Sequence, residues 1–133
     1  MSTIGAIRDA LQTRLANISG LHAHDIWPEP VVTPAAIVIP SNVGNDATFS
    51  GEQFDTFDIV VVVQAANMRI AQDALDPYIS RSGAPSIQAA LEGDMTLGGN
   101  AQFLIFDGWQ EYGRNEIDEI QYLQAQASVR VWH

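Results

Sequence analysis

The sequence predicts an α+β domain in which helices pack on one face of a mainly antiparallel sheet. Three observations carry that expectation. The stretch LQAQASVRV alternates strictly, with Leu123, Ala125, Ala127, Val129 and Val131 on one side and Gln124, Gln126, Ser128 and Arg130 on the other. This is the period of a strand with one face in a core. Near the middle of the chain, Phe57, Ile59, Val61, Val63 and Ala65 form one face of a run from Thr56 to Ala66, and Val60 and Val62 make part of its other face apolar. That pattern belongs to a central strand covered on both sides. At the start, Ile4, Ile7, Leu11, Leu15 and Ile18 recur every three or four residues, the stripe of an amphipathic helix.

The remaining elements follow in order. Ser2 or Thr3 can cap the first helix, and Gly20 stands where a left-handed C-terminal cap belongs. Pro28, Pro30 and Pro34 exclude helix and mark an extended connection, leading to a short apolar strand from Ala35 to Ile39 that Pro40 bounds. Ser41 to Asp55 turns polar and glycine-bearing, and reads as a long loop or a projecting hairpin. Asn67 to Ser80 reads as helix with Ile70, Ala74 and Leu75 on one face, where Pro77 either breaks it or starts a second short helix. Pro85 can open a short helix through Leu91, and Gly98-Gly99 resets the chain. Ala101 to Tyr112 and Ile117 to Trp132 then form two strands turning around Gly113, Arg114 and Asn115. Strands followed by grouped helices and a final hairpin point to helices segregated on one face of the sheet.

A chain of 133 residues is expected to be a single domain spanning residues 1–133. Six arginines, no lysine and sixteen acidic residues give a formal charge of -10. Affinity for nucleic acid rests on cations that displace counterions, so a phosphate-gripping role is disfavoured. The lack of cysteine removes thiolate catalysis, disulfides and cysteine zinc sites. No apolar run reaches the roughly 20 residues of a membrane-spanning helix, and the N-terminus lacks the pattern of a signal peptide. No membrane partner is expected.

Few residues suggest chemistry. His22 and His24, two apart, would point the same way on a strand, and with Asp25 they resemble part of a metal site in a small metal-dependent hydrolase. The plainer reading places them in the exposed turn after the first helix. Glu111, Glu116, Asp118 and Glu119 form either a solvated acidic rim or oxygen ligands for a hard cation, without EF-hand spacing. Arg69, Arg81 and Arg114 are expected in isolated salt bridges. No catalytic residue, cofactor site or metal site is assigned, and no enzyme activity is expected.

Thr96-Leu97-Gly98-Gly99, a strand, Gly108-Trp109, then Tyr122-Leu123 opening an alternating strand that ends Val129-Arg130-Val131-Trp132 resemble the tail terminator proteins of long-tailed, non-contractile bacteriophages. The N-terminal half agrees in its order of helix, proline-rich connection, short strand and long strand. Gln124 departs from the small residue expected after the Tyr-Leu pair. The resemblance implies a tail-terminator-like α+β fold and a structural virion protein without cofactors. Such a protein forms a hexameric ring at the head-proximal end of the tail tube, stops tube polymerisation and joins the tail to the head connector. Its implied partners are further copies of itself, the tail tube protein, the head–tail connector proteins, and genomic DNA that passes through the ring during ejection without tight binding. Its implied location is the virion tail, after assembly in the host cytoplasm. A neck, head-closure or tail tube protein of similar fold is the alternative within the same biology. Within the Ser41–Asp55 segment, Asn42, Gly44, Asn45, Asp46, Phe49, Gly51 and Phe54 are the expected partner contacts, because polar, glycine-bearing segments with isolated aromatics suit ordering against another protein.

Overall fold

The computed structural model describes residues 4–18, 20–24, 33–46, 53–64, 67–81, 83, 85–99, 101–117 and 119–132. In chain order these form α1 (Ile4–Ala16), β1 (His22–His24), β2 (Ala35–Asp46), β3 (Gln53–Gln64), α2 (Met68–Ile79), α3 (Ile87–Glu92), a 3₁₀ turn at Leu97–Gly99, β4 (Phe103–Ile117) and β5 (Ile120–Trp132). The strands build one sheet in the order β1-β2-β3-β5-β4. Only the β1–β2 pair is parallel; β2–β3, β3–β5 and β5–β4 are antiparallel. The expected α+β class holds, and β3 is the central strand.

One face of this sheet carries the main core. Ile7, Leu11 and Leu15 of α1, Ala71 and Leu75 of α2, and Ile87 and Leu91 of α3 pack with Val38, Phe57, Ile59, Val61, Leu123, Val129 and Val131. Each large apolar side chain fully buried there contributes roughly 1.5–3 kcal/mol relative to exposure. Along β5, the odd positions from Leu123 to Val131 are buried and the even ones from Gln124 to Arg130 half-buried, as the alternation requires. The opposite face holds a smaller cluster of Ala35, Ile37, Val60, Val62 and Tyr122. The two apolar faces expected for the central strand are therefore both present.

Helix boundaries follow local chemistry. Asn67 caps α2, its Oδ1 accepting from the N–H groups of Arg69 and Ile70 at 3.0 and 3.3 Å. Ser86 caps α3 by accepting from the Ala89 N–H at 3.1 Å, while its hydroxyl donates to the Ser80 carbonyl. Gly20 has φ 83, the left-handed conformation expected after α1.

Four expectations are corrected. The inward stripe of α2 is Ala71 and Leu75, while Ile70 is 68% exposed and Ala74 also faces out. The small Ala71 lets the helix approach the sheet. Pro77 does not break α2, which runs on to Ile79. β2 continues through Pro40 to Asp46; proline is tolerated at a strand edge, where its missing N–H forfeits no ladder bond. The β4–β5 turn lies beyond Ile117, because Gly113, Arg114 and Asn115 pair with Gln124, Leu123 and Tyr122 inside the ladder. Glu119, at φ 68, supplies the left-handed residue the turn needs.

Candidate assembly interface

The polar segment after Ile39 is a hairpin arm. Asn42 pairs with Thr56, Asn45 with Phe54 and Asp46 with Gln53, with register shifts on either side of Asn42. Such bulges bend a strand and increase its twist. Of the expected contacts, Asn42, Gly44, Asn45 and Asp46 therefore lie on β2 and Phe54 on β3, whereas Phe49 and Gly51 lie outside the described residues.

The base of this arm is tied to the end of the sheet by an aromatic ladder. Phe54 sits opposite Trp132, which sits opposite Phe103. The Phe54 and Trp132 ring centres are 5.0 Å apart, and Phe103 stacks on Trp132 at 4.6 Å with planes 12° apart. Both distances fall in the favourable range for aromatic pairs. The Arg130 guanidinium lies 5.4 Å from the Trp132 ring and forms a two-pronged pair with Asp107, at 2.8 and 2.9 Å. The hydrogen bonds to Asp107 raise the Arg130 pKa further above its ordinary value, so the guanidinium stays charged. Sequence reasoning missed this ladder, because it depends on three strands brought into one register.

Between the ladder and the small apolar cluster of Ala35, Ile37, Val60, Val62 and Tyr122, the face free of the described helices is polar. Asp58, Gln124, Gln126, Ser128 and Arg130 share it, and Ser128 donates to Asp58 at 3.2 Å. Gln124, the departure from the terminator pattern, has Gly113 as its cross-strand neighbour on β4, which leaves space beside the longer side chain. The other motifs of the resemblance sit at demanding backbone positions. Gly98 and Gly99 have φ 68 and 95 in a turn where Asp94 accepts from the Gly98 N–H at 2.9 Å, and Gly108 has φ 97 at the β4 bulge beside Trp109.

The residues considered for catalysis do not converge. His22 and His24 are on strand β1, not in a turn, and both side chains lie on one side of it. The pairing with β2 imposes this extension. Among the described residues, the buried Nε2 of His24 has no hydrogen-bond partner and no group of three potential metal ligands occurs; Asp25 lies outside them. Glu111, Glu116 and Glu119 are exposed, and Asp118 lies outside the described residues. Arg69, Arg81 and Arg114 are exposed and make no ion pair among the described residues, contrary to the expected salt bridges. Pairing would gain little there, since exposed ion pairs contribute about 0–1 kcal/mol. An open depression of about 510 Å³ beside α1 is lined by Asp9, Thr13, Arg14 and Asp94. Two of its charged groups are engaged structurally: Arg14 donates to the Ala90 carbonyl at 2.6 Å, and Asp94 holds the Thr96–Gly98 turn. Among the described residues, no nucleophile, base and oxyanion donor meet.

No protein-family model matches the chain, and no curated protein matches it. Among solved structures, it is similar to a chain of a structure described as "Virion of native gene transfer agent (GTA) particle". That similarity has 14% identity and a TM-score of 0.48 over 97% of this chain and 96% of the other. At that identity and score, no function passes from one chain to the other.

Proposed function

We propose that this chain is a structural virion protein that forms a hexameric ring on the head-proximal end of a phage-like tail tube, ends tube growth and joins the tail to the head connector. The observation that carries the reading is the terminator-like series of motifs in the C-terminal half, from Thr96 to Trp132, together with an order of elements that agrees over nearly the whole sequence. Those motifs coincide with the 3₁₀ turn, the β4 bulge and the strand β5 that organise one side of the sheet. The hairpin arm around Asn42–Phe54 is the proposed contact with the tube, its base tied to the sheet by the Phe54–Trp132–Phe103 ladder. Proteins of this kind need surfaces more than pockets.

The charge suits a channel for DNA. A ring of six copies of a chain with formal charge -10 carries on the order of -60 before counterions. An acidic wall repels the duplex and lets it slide, whereas cations would hold it more tightly as salt falls. Arg69 and Arg81 flank opposite ends of α2, so they make no joint basic patch within one subunit.

The test is tube assembly with and without the chain. Omission should yield tubes of uncontrolled length, and purified tails should contain several copies at one end. Tubes of normal length without it, or a single copy per tail, would contradict the proposal. A neck protein would leave tube length unchanged, and a tube protein would be present along the whole tail.

A further inference from the structure

Among the described residues the sheet has two open edges, and their upper parts match. β4 forms one edge. On the other edge β1 covers only Ala35–Ile37 of β2, so from Val38 onward β2 has no outer strand partner among the described residues. The register fixes the relative heights of these free segments. Phe103 lies level with Trp132, Phe54 and Asn45; Ile105 with Arg130, Thr56 and Asn42; Phe106 with Val129, Phe57 and Pro40. The free stretch of β4 therefore stands at the same height as the free stretch of β2.

Three properties of these segments suit each other. β4 runs opposite to β2 in the sheet, so abutting the β4 edge of one copy on the β2 edge of the next gives an antiparallel pair. In a chain with sixteen acidic residues, Thr33–Asn45 and Ala101–Phe106 contain no charge at all. Two strongly acidic copies meet there with the least repulsion. Half-exposed apolar side chains stand on the same helix-free face at both edges: Phe103 and Ile105, each 37% exposed, and Ile39, 38% exposed.

Below Phe106 the β4 edge changes. Two register shifts interrupt it, after Phe106 and after Gln110, and Asp107, Glu111 and Glu116 are exposed along it. Bulges and charges are the usual means of blocking edge pairing. Among the described residues, Phe103–Phe106 is the stretch of this edge without a register shift, a charge or an outer strand partner.

From these matches we infer that Phe103–Phe106 of one copy docks on Ile39–Asn45 of a second copy, edge to edge, as the contact that links neighbouring subunits. The contact is heterologous, with β4 meeting β2, and so generates a ring or filament instead of a two-fold dimer. Pro40 withholds one backbone donor and register shifts lie on either side of Asn42, so the joint combines a short, interrupted ladder with apolar contact between Phe103, Ile105 and Ile39. This inference rests on the ring reading above for its closed symmetry, but not for the two surfaces it names.

The absence of native cysteine allows a direct test. Ile105→Cys is combined in turn with Ile39→Cys and with Asn42→Cys, then oxidised at a concentration where native mass measurement shows wild-type multimers. The expected result is a ladder of covalent multimers from at least one pair, and none from Ile105→Cys alone. Covalent dimers from Ile105→Cys alone would indicate two-fold β4–β4 pairing and overturn the inference. Multimers by native mass with no covalent ladder would overturn it while leaving the ring reading intact. A chain that stays monomeric at every concentration would contradict it too, and tube-length control would then judge the functional reading separately. As a second variant, Ile105→Arg should weaken self-association by about tenfold or more, whereas Ile120→Arg, on the far hairpin end, should not. Equal effects of both substitutions would count against the named edge.

Discussion

The two faces of the sheet are built from the same strands for different purposes. On the helix-covered face, Phe57, Ile59, Leu123 and Val129 are fully or nearly fully buried against three helices. On the helix-free face, the same strands present Asp58, Gln124, Gln126, Ser128 and Arg130 beside a smaller apolar cluster, with Ser128 bonded to Asp58 and an aromatic ladder at one end. The first face carries folding energy, since apolar burial is the main favourable contribution. The second is ordered without a deep core, which suits a surface that must hold its shape for contact with other proteins or a channel.

The sharpest way to break this contrast is to exchange its energetics. Phe57→Ala should destabilise by about 3–5 kcal/mol, because a large buried ring leaves a cavity between strand and helices. Ser128→Ala, on the other face of the neighbouring strand, loses one hydrogen bond to Asp58 and should cost only about 0.5–1.5 kcal/mol. Urea denaturation of both variants checks the pair, and similar losses would erase the distinction.

Trp132 is buried on the helix-free face between Phe54 and Phe103, apart from the small apolar cluster around Val60 and Val62. Trp132→Ala should cost about 2–4 kcal/mol and loosen the base of the hairpin arm, so that amide exchange rises at Phe54 and Thr56. Unchanged exchange there would show that the arm does not depend on the ladder. Asp107→Asn tests the outer part of the same cluster. Its pair with Arg130 is exposed, so the expected loss is about 0.2–1 kcal/mol, falling with added salt. His22→Ala with His24→Ala should also leave stability within about 1 kcal/mol. Stoichiometric zinc in the wild-type chain, lost in that variant, would instead support a metal site.

The smallest effect concerns pH. Burial first, and the nearby Asp76 carboxylate second, raise the Tyr112 pKa above its ordinary value near 10.0. The folded chain therefore holds this proton more tightly than the unfolded chain. Its contribution to stability is complete below pH 10 and is lost as pH rises through the raised value. Tyr112→Phe should flatten the loss of stability above pH 10, and an unchanged slope would show that other groups dominate there.

The contrast also explains what was legible in the sequence. Period-two alternation in β5 and three-to-four spacing in α1 revealed which residues face the core, because one face of each element is buried almost without exception. Phase was harder in α2: Ile70 looked like core by composition, yet Ala71 faces the sheet and Ile70 faces out. Gly113 suggested a turn, although glycine inside a strand equally marks a bulge, and here it follows one. β1 was invisible because three residues carry no periodicity and form a strand only against β2. The hairpin arm was legible as one of two alternatives, and the ladder that anchors it was not. Cross-strand neighbours such as Phe54, Trp132 and Phe103 are distant in sequence and adjacent only after registers are set.

The central claim is that this chain works as a ring of identical subunits. The most direct measurement is imaging of the purified chain, concentrated alone and bound to tube ends, with the subunits counted by symmetry and native mass. The account predicts closed rings of six at one end of each tube, with the β4 edge of every subunit against the β2 edge of the next. A monomer at the tube end, or rings joined through the helices with both sheet edges free, would contradict it.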